Sequence, residues 1–480
     1  MEYTSRRDHE GRMDTEMIAE REGRRSYWQA LQELALKMSG RLLLPGDPDF
    51  EAERHVWNGT VDRHPALITC CMDVDDVIAS VVFARQQDLS VSVRSGGHSP
   101  AGYGTNDGGI VIDLSSMNAI SIDPEQRTAR IESGLTWGEV AGALHPYGLA
   151  LTSGDVATVG VGGLILGGGI GWQVRKYGLT LDRLRAVELV TANGETLRAS
   201  ASENAELFWG LRGGGGNFGI ATAFEVDLHP AGIVLGGAVF YDIADAENIL
   251  QAYTRYAMSA PDELTTMAVF ASAPAAPFIP VDKQGKPVLL IVVCYTGNLA
   301  EGEQVVGPLR HLATPIATML APMPYPALFA LTEAGAVRGL RHHARSSFLQ
   351  TLNDSMLHVM VEEVRATMSS TMLVQLRMLG GAMSRVNSDT TAFAHRNKPA
   401  LVFITNFGPD SIDDVSRTDR VWQALQPYAD GVYVNFLADE GQQRIHEAYP
   451  SATYDRLVAL KNRYDPTNLF HLNQNILPTL

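Results

Sequence analysis

The chain has 480 residues, 45% of them hydrophobic, and this length predicts two or three structural units rather than one small core. With 38 basic and 54 acidic side chains, the formal charge of −16 argues against nucleic acid or an anionic membrane surface as a partner. The longest apolar run, Val288 to Tyr295, has eight residues, far fewer than the roughly 20 that a spanning helix needs, so we expect no membrane segment.

Residues 1–25 are densely charged and contain no apolar stretch, which predicts a charged N-terminal extension and not a secretory signal. The cysteines Cys70, Cys71 and Cys294 form no CxxC pair and no disulfide framework. Free thiols of this kind suit a reducing compartment, so we expect a cytoplasmic protein. The sequence leaves open whether it is a monomer or a homo-oligomer.

Strand-like and helical patterns alternate through the first part of the chain. In order, we predict a helix at 27–38, a strand at 66–70, a helix at 74–87 capped by Asp73, strands at 89–94, 109–114 and 128–132, and a helix at 137–147 opened by the capping box Thr136–Glu139. This alternation predicts an α/β or α+β unit.

Glycine then becomes dense, with eight glycines in the eighteen positions 154–171 and a second cluster at 213–216. Such runs favour close backbone contact with a large, flat ligand that carries phosphate. Gly214, Gly216 and Gly219 formally match GxGxxG, but a strand at 220–228 follows where a dinucleotide-binding helix would begin, so we discount a Rossmann site.

The sequence pattern is different between about residues 236 and 425, where glycine is less frequent. We predict strands at 288–295 and 372–379 and helices at 299–312 and 347–368, followed by a strand at 432–437 and a helix at 454–464. Pro308 is expected to kink or split the helix at 299–312. The expected organisation is a domain that binds this phosphate-bearing ligand, from 26–235 and 426–480, and a second domain, an antiparallel sheet covered by helices, from 236–425.

Two other chemistries are weakly supported. Ser99 lies in a Gly-His-Ser-Pro-Ala sequence that resembles a hydrolase nucleophile elbow, but Pro100 lacks the N–H that an oxyanion hole needs at that position. No HExxH motif occurs, and the adjacent His342 and His343 would point apart on a regular element, so no metal site is predicted.

A family resemblance rests on motifs that follow one another in a specific order. They are RSGGHS at 94–99, NDGGIVIDL at 106–114, TVGVGG at 158–163, GGG at 167–169, KYGL at 176–179, LFW at 207–209, GGGGNFG at 213–219, YDPTNLF at 464–470 and NQNI at 473–476. The chain resembles the vanillyl-alcohol oxidase superfamily with its PCMH-type FAD-binding domain. More narrowly, it is similar to the berberine bridge enzyme group and its bacterial 6-hydroxy-D-nicotine oxidase-like members. The resemblance implies an α+β fold whose FAD-binding domain has two α/β subdomains.

The resemblance also implies that His98 bonds covalently to the 8α-methyl carbon of FAD, since a neutral imidazole is a competent nucleophile. It places the rest of the cofactor site at Val93, Arg94, Ser95, Gly96, Gly97, Ser99, Ser153, Gly154, Asp155, Val156, Thr158, Val159, Gly160, Gly162, Gly163, Gly168, Gly169, Ile220, Asn473 and Asn475. Bicovalent members carry a cysteine where this chain has Val156, so the resemblance implies attachment through His98 alone. In relatives, valine at the position of Val159 admits oxygen to the flavin, which favours an oxidase.

The implied chemistry is hydride removal from a carbon that bears an alcohol oxygen or an amine nitrogen, with oxygen converted to hydrogen peroxide. We expect catalytic residues among Gln375 and Arg377, which alternation places on one strand face, and Tyr433 and Asn435, which share another. Tyr433 is the candidate base if Arg377 lowers its pKa, and Asp155, if it faces the substrate, would favour an amine. Oxidative cyclisation in natural-product assembly and non-catalytic flavin binding remain alternatives.

Overall fold

The computed structural model describes residues 15–408 and 412–479, which form an α+β fold with three main sheets. The first sheet has the strand order β1-β2-β4-β3, in which β2, β4 and β3 are parallel and β1 is an antiparallel edge. Its elements are α1 (Thr15–Lys37), β1 (Arg41–Leu43), α2 (Phe50–Arg54), β2 (Leu67–Cys70), α3 (Val74–Gln86), β3 (Val91–Arg94) and β4 (Ile110–Asp113). Asp73 caps α3 by accepting the amide N–H of Asp76 at 3.0 Å, as the sequence predicts.

The second sheet is antiparallel, with the order β5-β6-β10-β8-β9, and a two-stranded ribbon, β11-β7, lies beside it. The predicted helix at 137–147 ends its α-helical part at Leu144 and continues as a 3-10 turn, because Pro146 cannot extend the hydrogen-bond ladder. The elements are β5 (Ile120–Asp123), β6 (Thr128–Glu132), α4 (Trp137–Leu144), β7 (Leu149–Ala150), α5 (Val161–Gly167), α6 (Val174–Tyr177), β8 (Leu184–Val190), β9 (Thr196–Ser200), α7 (Ala205–Leu211), β10 (Ile220–Asp227) and β11 (His229–Pro230).

The third sheet has seven antiparallel strands in the order β15-β12-β14-β13-β17-β18-β16. Helices α8, α10 and α12 bury one face, whereas residues of the opposite face pack against Trp172 and Tyr325. The elements are β12 (Ile233–Asp242), α8 (Ala246–Ser259), β13 (Leu264–Ser272), β14 (Pro287–Tyr295), α9 (Leu299–Val306), β15 (Ala317–Pro324), β16 (His342–Leu349), α10 (Asp354–Thr367), β17 (Met372–Met378), α11 (Ala382–Arg385), β18 (Ala400–Phe407) and α12 (Ile412–Leu425). The expected antiparallel sheet with helical cover is confirmed.

The C-terminal part returns to the first two sheets through α13 (Gln442–Ala448) and α14 (Ser451–Tyr464). Lys461 on α14 is fully buried and donates to the carboxylate of Asp465 at 2.8 Å, to the carbonyl of Asn217 at 3.0 Å and to the carbonyl of Phe470 at 2.9 Å. A buried ammonium with three acceptors fixes the segment after α14 against the second glycine cluster.

Two predicted elements are wrong. Residues 347–349 end strand β16, and α10 begins only at Asp354, where Asn353 caps it by accepting the N–H of Met356 at 2.9 Å. The predicted strand at 432–437 contains instead a 3-10 turn at Val434–Phe436, closed by the bond from Phe436 N–H to the Tyr433 carbonyl. Of the predicted charged extension, residues 1–14 lie outside the described residues. No helix within the described ranges is both long and apolar enough to cross a membrane.

Candidate active site

The loop after β3 lies directly against the glycine segment at 158–163. A Cβ atom on Gly96 would come within 2.3 Å of the Gly160 nitrogen, so only glycine lets these backbones meet. The Ser95 hydroxyl accepts the N–H of Gly162 at 3.3 Å and donates to the Ser133 carbonyl. The RSGGHS loop and the TVGVGG segment therefore form one surface that is made largely of backbone.

Arg94 anchors this loop through its side chain. Its guanidinium donates to the Asp113 carboxylate at 2.6 Å, and both side chains are buried. Because Arg94 has a structural partner, only its backbone is available for the cofactor role that the resemblance implies.

His98 is half-buried beside Thr158, whose hydroxyl oxygen lies 2.9 Å from His98 Nε2. Burial, with smaller contributions from the nearby side chains of Arg338 and His342, lowers the pKa of His98 to about 4. The imidazole is therefore neutral at physiological pH, which is the form that can act as a nucleophile.

An aromatic stack fixes the His98 ring from the other side. The Trp57 ring lies 5.1 Å from the His98 ring and 3.9 Å from the His342 ring, both in stacked orientation. Trp57 Nε1 donates to the Ala336 carbonyl at 2.9 Å. The side-chain amide of Asn58 donates to the His342 carbonyl at 3.3 Å and accepts the His342 N–H at 3.1 Å. Burial lowers the pKa of His342 to about 4, so this neighbour is neutral as well. Neither Trp57 nor His342 is predicted as a site residue from the sequence.

The glycine run continues through α5 into a sharp turn. Gly163 is exposed, and a Cβ atom on it would meet no atom of the described residues within 4 Å. After α5, Gly168 and Gly169 adopt φ values of +151° and +89°, which side chains rarely allow. This segment thus offers open backbone next to the His98 loop.

Tyr433 and Asn435 hold this turn in place. The Tyr433 hydroxyl accepts the N–H of Gly169 at 2.8 Å and the amide N–H of Asn435 at 2.8 Å, and Asn435 also donates to the Leu164 carbonyl at 3.1 Å. The two side chains do share a face, although no strand carries them. Burial raises the pKa of Tyr433 to about 12 and outweighs the lowering effect of the Arg377 charge, so the lowered pKa that a base role requires is not found.

A small cavity of about 20 Å³ lies between the glycine segment and the third sheet. Its polar wall is an ion pair in which Arg377 Nη1 lies 2.6 Å from the Asp155 carboxylate, with both side chains at most 10% exposed. The Gln375 side-chain oxygen accepts two N–H groups of the same guanidinium, at 2.6 and 3.1 Å. The structure thus brings Gln375, Arg377 and Asp155 together. The basis for expecting an amine is lost, because Arg377 compensates the charge of Asp155.

The other cavity walls are mostly apolar. Trp172 lines the cavity, and its indole N–H is buried without a partner in the described part of the chain. The rest of the lining comes from Ile170, Gly171, Val174, Thr265, Thr266, Met267, Met378 and Leu379. None of these residues is predicted as a substrate contact from the sequence, since buried positions on the third sheet carry no local signal of a cavity.

The C-terminal segment reaches the second glycine cluster. Asn473 donates to the Gly216 carbonyl at 3.3 Å, and Asn217 bonds the backbones of Gln474 and Ile476. The side-chain oxygens of Asn473 and Asn475 are buried without a hydrogen-bond partner among the residues described. Orphaned acceptors of this kind mark a place where a bound molecule donates.

The remaining expected cofactor residues lie around this surface. Ser153 and Gly154 are buried, and the Ser153 hydroxyl donates to the Gly154 carbonyl at 2.8 Å. Ile220 is buried at the start of β10, while Val93, Ser99, Val156 and Val159 are half-buried. No cluster of three or more histidine, cysteine, aspartate or glutamate side chains able to hold a metal occurs in the described ranges.

These features fit FAD. Open backbone at the two glycine segments suits the pyrophosphate, a neutral His98 suits attachment, and the free Asn473 and Asn475 oxygens suit a ligand with N–H groups. All three cysteines are buried free thiols.

Comparisons with known proteins agree with this site. A family model for an FAD binding domain matches residues 65–200, and a model described as berberine and berberine like matches residues 432–477. The chain is 31% identical over 459 residues to an FAD-linked oxidoreductase of Dictyostelium discoideum, covering 94% of this chain and 97% of that protein. It is 31% identical over 457 residues to (R)-6-hydroxynicotine oxidase of Paenarthrobacter nicotinovorans, covering 92% and 98%.

A solved structure of 6-hydroxy-D-nicotine oxidase from Arthrobacter nicotinovorans superimposes with a TM-score of 0.83 at 29% identity, covering 92% of this chain and 98% of the other. The first family model covers His98 and the glycine segment at 158–163, and the second covers the C-terminal segment. The chain therefore belongs to the berberine bridge enzyme-like family of FAD-linked oxidoreductases.

Proposed function

We propose that this enzyme is an FAD-linked oxidase that oxidises a CH–OH or CH–NH carbon of a small organic substrate. The observation that carries the proposal is the cavity, because one wall is the glycine segment at Asp155, Ile170 and Gly171 and the opposite wall is the polar face of β17. A substrate in this cavity would lie between the flavin cradle and the side chains of Gln375 and Arg377. The substrate carbon loses a hydride, and the substrate oxygen or nitrogen bonded to it loses a proton. Molecular oxygen takes up the two electrons and the protons to give hydrogen peroxide.

We further propose that His98 holds the cofactor covalently. FAD, when bound, supplies the hydride acceptor and the site at which oxygen is reduced. Since His98 Nε2 is engaged by Thr158, Nδ1 is the nitrogen that would form the bond. The stack with Trp57 would hold the ring in one orientation while the bond forms.

The cavity residues would bind and orient the substrate. Arg377 retains N–H groups beyond those given to Gln375 and Asp155, so it can donate to the substrate oxygen or nitrogen. Asp155 is the carboxylate on the described cavity wall and can accept the substrate proton. Tyr433, with its raised pKa, would keep its proton and position the Gly168–Gly169 turn.

The test is anaerobic and aerobic turnover of the purified yellow protein. Candidate alcohols and amines should bleach the flavin absorbance near 450 nm without oxygen, and admission of air should restore it with one hydrogen peroxide per substrate. Arg377→Met should lose bleaching, whereas the matched surface variant Arg185→Met should keep it, because Arg185 belongs to an exposed ion pair with Asp227. A flavin that stays oxidised with every alcohol and amine would identify a non-catalytic flavin-binding protein.

We also propose a cytoplasmic location, supported by three buried free thiols, and no partner other than the small-molecule substrate and oxygen.

A further inference from the structure

We propose that the Asp155–Arg377 pair restricts the substrate to uncharged molecules that present a hydroxyl group, and rejects ammonium and carboxylate compounds. This inference rests on the proposed function and narrows it from CH–OH or CH–NH to CH–OH.

The pair joins two distant parts of the fold across the cavity. Asp155 lies between β7 and α5, whereas Arg377 is on β17, and their charged atoms are 2.6 Å apart. The side chains are 8% and 10% exposed, so little water screens their charges. The described lining contains no other charged side chain, so the net charge of the cavity wall is zero.

The arginine is held rigidly from three sides. Gln375 accepts two of its N–H groups, the Asp155 carboxylate lies 2.6 Å from Nη1, and the Phe436 ring lies 5.3 Å from the guanidinium carbon. A guanidinium has five N–H groups, so some remain for a ligand. A carboxylate with one oxygen paired still has acceptor positions of its own.

A hydroxyl group matches this arrangement without disturbing it. Its O–H can donate to Asp155 while its oxygen accepts from Arg377, and both charges stay paired. A substrate ammonium would pair with Asp155 but would lie beside the like charge of Arg377. A substrate carboxylate would pair with Arg377 but would lie beside the like charge of Asp155. In either case one buried charge loses its partner, which is strongly unfavourable.

The experiment measures binding of three shape-matched probes to the holoenzyme: benzyl alcohol, benzylammonium and benzoate. Binding is followed by the flavin absorbance change and by tryptophan fluorescence, to which Trp172 on the cavity wall contributes. The native enzyme should bind benzyl alcohol best. Asp155→Asn should improve benzoate relative to benzyl alcohol by about tenfold or more, and Arg377→Gln should improve benzylammonium to a similar extent, since a close buried charge pair is worth at least that factor.

Two controls keep the result interpretable. The double variant Asp155→Asn/Arg377→Gln should again prefer benzyl alcohol, and Asp227→Asn, which changes the same charge in an exposed pair, should leave all three affinities unchanged. Thermal melts identify a variant that has not folded, and the double variant then replaces it as the test.

The inference is overturned if the native enzyme prefers a charged probe, if none of the probes binds, or if the single variants change all three affinities equally. Peroxide release is recorded separately. The predicted binding pattern without any turnover would refute the oxidase function and leave the charge selection standing, whereas turnover of amines in preference to alcohols would refute the charge selection alone.

Discussion

Covalent attachment of FAD should proceed at a pH at which an ordinary histidine could not react. His98 has a pKa lowered to about 4 by burial. At pH 5 such a ring is about 90% neutral, whereas a ring with the usual pKa of about 6.5 is about 3% neutral. Between pH 7.5 and pH 5 the attachment rate should therefore fall by about 10%, instead of the roughly 30-fold fall expected for an unperturbed imidazole.

The assay incubates flavin-free protein with FAD, precipitates samples with acid at intervals and measures flavin fluorescence that remains with the chain on a denaturing gel. His98→Ala should retain no fluorescence, and quenching of free FAD by this variant at both pH values corrects for changes in non-covalent uptake. A 30-fold loss of rate at pH 5 with normal uptake would show that the site does not protect the neutral imidazole. Fluorescence that remains on the His98→Ala chain would refute the attachment site itself.

Four further predictions concern Thr158, Tyr433, His342 and Val159. Thr158→Val removes the partner of His98 Nε2 and should slow attachment severalfold, whereas Thr158→Ser should restore it; equal rates in all three proteins would show that the 2.9 Å contact is unimportant. Tyr433→Phe leaves the N–H groups of Gly169 and Asn435 unpaired and should lower the free energy of unfolding by about 1–3 kcal/mol in urea titrations, with a modest effect on kcat; a thousandfold loss of kcat without destabilisation would instead identify Tyr433 as the base. The pKa of His342 is about 4 in the folded protein and about 6.5 in the unfolded chain, so its contribution to the free energy of unfolding is complete above pH 6.5 and is lost as the pH falls towards 4. The free energy of unfolding should therefore fall by about 2 kcal/mol between pH 7.5 and pH 5 because of His342. This fall should be smaller in His342→Gln, and an equal fall in both proteins would contradict the prediction. Val159→Leu should slow reoxidation of the reduced flavin by oxygen in stopped-flow measurements while leaving anaerobic reduction unchanged, and unchanged reoxidation would remove the oxygen-access argument.

The cofactor side of this enzyme could be predicted because its signals are local. RSGGHS, TVGVGG and GGGGNFG are short runs in which the backbone itself contacts neighbours, and no other residue type would fit at positions such as Gly96 and Gly160. The cap at Asp73 and the division of the helix at Pro308 are likewise decided within a few residues. Patterns of this length are visible without knowing the fold.

The substrate side could not be predicted to the same depth. Asp155 and Arg377 are separated by more than two hundred positions, and so are Trp57 and His342, so no spacing rule connects them. Strands β13 and β18 are buried on both faces and show no alternation, which hides them from a period-two search. The 347–368 error has the opposite cause, because the apolar residues at the end of β16 happen to continue the helical period of α10.

The hydrogen bonds of Lys461 determine when the C-terminal segment can pack against the rest of the fold. Its ammonium bonds a carbonyl 244 positions earlier in the chain, and Asn217 in turn bonds the backbone around Asn475. The C-terminal segment can therefore close against the second glycine cluster only after the ribosome has released α14 and the residues that follow it. This contact closes a loop of 244 positions, and the entropic cost of closing a loop rises with its length.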